Sequence, residues 1–95
     1  MKFDKMKYLP VGYNTKDLEK HVKNKWRWEW LNEVEADGGK WGQWLKKPEI
    51  SGVGFCEACG RTINYQSSGE KAFRIHADDA NHKKKYEQSR QIRYL

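Results

Sequence analysis

Four residues in the second half of the chain have the types and spacing to hold one divalent cation: Cys56, Cys59, His76 and His82. Cys56 and Cys59 enclose two residues, the spacing of a turn that aims two thiolates at one ion. Gly60, directly behind them, lets the backbone reverse tightly. Sixteen residues separate Cys59 from His76, and five separate His76 from His82. Sites of this kind commonly show about 12–15 and 3–5, so the loop is slightly long and the histidine spacing is at its upper limit. Two thiolates and two imidazoles suit Zn²⁺, fill its tetrahedral shell and leave no position for a reactive water. The expected cofactor is one structural Zn²⁺.

The histidine spacing carries its own demand. Residues six apart on an α-helix point about 240° apart, so an unbroken helix cannot turn both rings toward one ion. The helix is expected to widen, kink or break within ADDAN, residues 77–81, where Asp and Asn side chains compete for the backbone. Strand signals fall at 53–56 and 62–65. Gln66, Ser67, Ser68 and Gly69 form a loop, and Ser68 is placed to cap a helix from about Glu70. Phe55 stands just before the first cysteine, Ile63 and Phe73 stand where a miniature ββα core needs apolar groups, and the residues after His82 are expected to resume as helix. The fold expected is small α+β: a ββα-type zinc finger preceded by a Trp-rich helical segment.

Residues 1–13, with Pro10 and Gly12, read as an extended or loosely docked arm. Residues 14–53 form the Trp-rich segment. There Asn14 or Thr15 can cap a helix, and Leu18, Val22, Trp26, Trp30 and Val34 recur every fourth residue. This spacing predicts a helix over 15–36, ended by Gly38-Gly39. Trp41, Trp44 and Leu45 predict one or two further turns, stopped before Pro48. Trp26, Trp30, Trp41 and Trp44 are expected to be buried, with Trp28, off the stripe, the most exposed of the five. Residues 54–86 hold the finger, and 87–95 a basic C-terminal helix or tail. His21, among lysines, reads as a surface histidine.

In a chain of 95 residues, 37% hydrophobic and 34% charged, the core is lean and a metal staple helps it. Five Trp, five Tyr and three Phe nevertheless exclude a disordered-type composition. The net charge of +6 points to a polyanion as partner. The excess is spread along the chain: 11 basic and 8 acidic residues up to Val53, 8 and 5 after it. No run is long and apolar enough for a membrane span, and no basic-then-apolar leader opens the sequence. Cysteines three apart beside histidines, without a leader, favour metal over disulfide and an intracellular protein. No nucleophile with a base and no phosphate-cradling loop is found, so neither an enzyme nor a small-molecule substrate is expected.

Over residues 55–86 the chain resembles BED-type and related transposase-derived zinc fingers. The likeness is carried by FCEAC at 55–59, Ile63 and Tyr65, the Ser/Gly loop, and His76 to His82 followed by lysines. It extends more loosely over 26–54, and residues 1–25 have no counterpart. The resemblance implies Cys56, Cys59, His76 and His82 as ligands. It also implies a DNA-binding module in a nuclear transposase or a host chromatin or transcription protein derived from one. One departure is clear: the base-reading positions −1, 3 and 6 of tandem fingers fall on Gly69, Ala72 and Ile75, none of which makes a bidentate base contact. The long histidine spacing is also similar to matrin-like fingers that bind double-stranded RNA by shape.

The expected function is DNA binding in the nucleus, mostly through phosphates, with charge from Lys71, Arg74, Lys83, Lys84, Lys85, Arg90 and Arg93. Lysines 83–85 also read as a solvated helix end, where cations complement the dipole. Two alternatives stand beside this reading. The surplus tryptophans suit a protein-interaction module, and the histidine spacing suits double-stranded RNA.

Overall fold

The computed structural model describes residues 7–35 and 38–92, the last five of these as backbone. At its centre, Val53 and Phe55 on one side and Thr62 and Ile63 on the other favour extended backbone. They pair as an antiparallel hairpin of β2 (Val53–Cys56) and β3 (Arg61–Asn64), in which Gly54 opposes Ile63. A two-residue strand, β1 (Leu45–Lys46), adds to the other side of β2, giving the order β1-β2-β3. The chain then enters α1 (Glu70–Asp78) and, after one extended residue, α2 (Ala80–Ile92). Two strands followed by a helix occur as expected within a small α+β fold. Gly69, not Ser68, is the N-cap of α1, at φ 61° and with no side-chain cap bond.

The helix expected over 15–36 does not form. The backbone makes one turn, with Glu19 N–H donating to Thr15 O at 2.9 Å, and then stops. Lys25 stops it: its ammonium folds back and donates to the carbonyls of Glu19 (2.8 Å), Val22 (2.9 Å) and Lys20 (3.4 Å). Beyond it Arg27 is extended, and Trp28–Asn32 form a short 3₁₀ turn. The last member of the stripe, Val34, is exposed. Packing therefore overrides a pattern that a helix would also satisfy. Trp41–Gln43 form a second 3₁₀ turn, but Leu45 belongs to β1, which had no sequence signal. Residues 7–9 of the arm dock on the sheet side, where Tyr8 bridges to Pro48 and Leu9 N–H donates to Lys47 O at 2.8 Å.

One aromatic core joins both halves. Trp26 stands edge-on to Trp30 at 5.3 Å and to Phe73 at 6.0 Å, and Trp30 stands edge-on to Tyr65 at 5.3 Å. Trp26, Trp30, Trp41 and Trp44 are buried; Trp28 is half-buried, its indole N–H donating to Tyr13 O at 2.8 Å. The order of exposure is as expected, although the helix that motivated it is absent. At Gly54 the sheet approaches so closely that a Cβ would meet Phe73 Cε1 at 2.8 Å and Leu45 Cδ1 at 3.0 Å.

Beneath the rings lies a polar knot that the sequence did not announce. Glu19 is 0% exposed and Lys47 1%. Glu19 Oε1 accepts from Trp26 N–H at 2.8 Å and from the Tyr65 hydroxyl, and Oε2 accepts from Gly52 N–H at 2.8 Å. Lys47 Nζ faces Oε2 at 3.7 Å, donates to Ile50 O at 2.5 Å and Val53 O at 3.0 Å, and lies 5.5 Å from the centre of the Tyr65 ring. Burial holds the Lys47 ammonium down at about 8 against the opposing pull of Glu19. Burial and then the Glu19 bond push the Tyr65 phenol up. Removing one partner of such a pair strands the rest. Glu19→Ala is expected to cost about 3–5 kcal/mol in urea unfolding, because it orphans two backbone N–H groups, a hydroxyl and an ammonium. Lys47→Met should cost clearly less, since Glu19 keeps three donors; the reverse order would mean the knot is not centred on the carboxylate.

Candidate metal centre

The hairpin turn, the break between the helices and one face of the aromatic core assemble the site. Cys56 closes β2 and is buried. Gly60, at φ 68°, donates its N–H to Cys56 O at 2.8 Å, which closes the turn. Cys59 N–H points at Cys56 Sγ at 3.4 Å, a contact that favours thiolate charge. His76 lies in the last turn of α1. The helix then breaks where the histidine spacing requires. Asp79 is extended (φ −67°, ψ 133°), and its carboxylate accepts from Asn81 N–H at 2.7 Å, capping the new helix. His82 follows in the first turn of α2 and is fully buried.

The result is a cluster of four ligand atoms, from Cys56, Cys59, His76 and His82, all within 4.8 Å of one another. His82 Nδ1 lies 3.5 Å from both sulfurs. For Zn–S of about 2.3 Å and Zn–N of about 2.0–2.1 Å at tetrahedral angles, a sulfur and a nitrogen on one zinc stand about 3.5 Å apart. The Nε2 atoms of His76 and His82 are buried with no hydrogen-bond partner, a need that a cation would meet at His76. The four residues are thus positioned to hold a metal ion, and the donor set fits Zn²⁺.

Electrostatics points the same way. Burial pushes the Cys56 thiol up to about 12. Burial, with His76 as second cause, pushes His82 down to about 4, and His76 is lowered by burial and then by Arg61. The protein alone therefore favours the uncharged forms. Burying thiolates here requires a compensating positive charge, which a dication supplies.

The aromatic half roofs the centre. Trp44 stands edge-on to His82 with centroids 4.5 Å apart and lies 5.6 Å from His76. Tyr86 stacks on the other side of His82 at 5.9 Å, and its hydroxyl donates to Gln43 Oε1. Trp44 in turn donates its indole N–H to Glu35 Oε2 at 3.0 Å. Sequence reasoning assigned Trp44 to the core without seeing it over the ligands. The spacing of Tyr86, four residues after His82, is the one signal that could have put that ring on the same helix face.

The candidate nucleic-acid residues are dispersed. Lys71 is exposed in the first turn of α1, and Lys83, Lys84 and Lys85 are exposed on α2. Arg74 is engaged elsewhere: it pairs with Glu33 at 3.2 Å and Glu70 at 3.3 Å and lies 5.4 Å over Trp41. The Arg90 side chain and all of Arg93 lie outside the described residues. Gly69 is buried, Ala72 half-buried and Ile75 exposed.

Two outcomes are expected of the metal. Purified chain should bind one zinc, and Cys59→Ser should lose it together with the amide dispersion of residues 54–86, because ligand binding and folding are one event. Native-like signals from that region in excess chelator would remove the metal from the account. Zinc affinity should also rise with pH. The buried Cys56 thiol gives up its proton on binding while His82 is already neutral, so between pH 6 and 8 the apparent affinity should rise at least about tenfold per unit. A slope near zero in a competition titration would show that the thiols are not ligands.

Comparison of the chain with protein-family models, with curated proteins and with solved structures gives no match, so the reading of this centre rests on its own chemistry.

Proposed function

We propose that the chain is a zinc-stabilised module of the BED-type, transposase-derived kind that binds duplex DNA in the nucleus, chiefly through phosphates and without catalysis. The observation that carries the reading is the placement of Lys83, Lys84 and Lys85. They are exposed, pair with no carboxylate among the described residues, and follow directly on the buried ligand His82. A metal-anchored helix start would hold these ammonium groups in a defined place, at little entropic cost beyond their own rotamers. The net charge of +6 adds long-range attraction. Gly69, Ala72 and Ile75 supply no base-reading group, which favours backbone contact over sequence readout. With Arg74 held by two carboxylates, Lys71 is the free cation on α1 among the expected contacts.

A salt titration tests this. Successive helical residues turn about 100°, so two of the three lysines can face one duplex. Neutralising all three should lower the magnitude of the log–log salt slope on DNA by about 1.8. Binding to all sequences should weaken about equally. A control with Arg27 and Lys46 neutralised should change little, because they already pair with Glu29 at 3.8 Å and Glu57 at 4.0 Å. Strong sequence discrimination abolished by Lys71→Ala would mean base readout instead. Preference for an RNA duplex would favour the matrin-like alternative, and no affinity for any duplex at low salt would overturn the proposal.

A further inference from the structure

β3 is the outer strand of the sheet and pairs with β2 alone. In its register Gly54 opposes Ile63, and just beyond the strand Tyr65 N–H donates to Gly52 O at 3.1 Å. Arg61 and Ile63 therefore turn their backbone groups toward β2, and the alternate residues, Thr62 and Asn64, turn theirs outward. No described residue takes these outward N–H and C=O groups. An edge left in this state is a template for another strand unless something covers it.

Along this edge runs a cleft of about 680 Å³ whose far wall is α1 and the start of α2, and one end of which is the candidate metal centre, at Cys59, His76 and His82. Ile63, Ala72 and Ile75 line its apolar part, and Ile75 is 63% exposed although the neighbouring Phe73 is fully buried. Arg61 and Lys85 line its basic part. Both belong to the metal-centre end: Arg61 acts electrostatically on His76, and Lys85 follows His82 by one helical turn. Neither pairs with a carboxylate among the described residues. The one carboxylate in the cleft, Asp79, is already committed to Asn81 N–H.

We propose that this cleft receives an extended acidic peptide segment as a fourth strand. Its backbone pairs with Thr62 and Asn64, an aliphatic side chain rests on Ile63, Ala72 and Ile75, and an Asp or Glu reaches Arg61 and Lys85. The edge offers donors and acceptors alternating at strand spacing, which a peptide backbone complements on both counts. A phosphate backbone offers acceptors only, and the apolar wall carries no ring for a base to stack on. A second copy fits less well, because Arg61–Asn64 brings no carboxylate for the two cations. This docking does not depend on the duplex binding proposed above, although both use Lys85.

The test is selection of displayed random heptapeptides on the full chain with one equivalent of zinc, followed by titration of the most enriched peptide in synthetic form. Enrichment of alternating aliphatic sequences with at least one Asp or Glu is expected. N-methylation of the peptide at one set of alternate amides should weaken binding at least tenfold, and methylation at the intervening amides should have little effect. Thr62→Pro should also weaken binding at least tenfold. Its N–H faces away from β2, so the substitution is compatible with the edge; should that variant misfold, the methylated peptides decide. Arg61→Glu with Lys85→Glu should shift selection from acidic to basic peptides. Absence of an enriched motif, or binders indifferent to both methylation patterns, would overturn the proposal. So would concentration-dependent dimerisation, abolished by Thr62→Pro, in the absence of enriched peptides; that result would assign the edge to a second copy.

Discussion

The Glu19 carboxylate accepts from Trp26 N–H, Gly52 N–H and the Tyr65 hydroxyl, and faces the Lys47 ammonium. These four groups come from the tryptophan-rich segment, the strand connector and the residue after β3. A buried charge is tolerated only if every lone pair and proton around it is answered. That requirement fixes where the chain before Trp26 must stand relative to the sheet. Lys25 closes the carbonyls left open where the preceding turn ends. With the segment so placed, Trp26 and Trp30 meet Tyr65 and Phe73, and one core serves the whole described chain.

The two buried polar centres solve the same problem differently. Around Glu19 the compensating cation is a side chain of the protein. At Cys56, Cys59, His76 and His82 no lysine or arginine among the described residues bonds a ligand atom, and burial drives the Cys56 thiol and both imidazoles toward neutrality. Thiolates can persist there only with an external dication, so the metal would supply the charge that Lys47 supplies elsewhere. Trp44 and Tyr86 pack against His82 and set the ring's plane. The tryptophan-rich half is therefore part of the metal centre as well as its neighbour.

The break at Asp79 links this centre to the surface. The extended Asp79 between α1 and α2 lets both histidines reach one cluster with the cysteines. The lysines of α2 and the wall of the β3 cleft follow from that break. A straight helix would have carried His82 away from the sulfurs and closed no cleft beside Arg61.

The ligand quartet, the break between the histidines, the hairpin and the restart of helix were legible in the sequence. Each depends on residues within a few positions of one another, where chemistry and backbone geometry allow few alternatives. The spacing from His76 to His82 alone excluded an unbroken helix. The tryptophan-rich segment was not legible in the same way. A residue every fourth position satisfies a helix, but it equally satisfies a turn, an extended residue and a 3₁₀ turn wrapped around one aromatic core. Nothing in the sequence marked Glu19 for burial, because its partners lie up to 46 residues away. Comparable separations hid the pairing of Arg74 with Glu33 and the place of Trp44 over the imidazoles. Local spacing determined the metal ligands. Only tertiary structure decided which charges are buried and which are free, because desolvation and pairing depend on neighbours the chain brings in from afar.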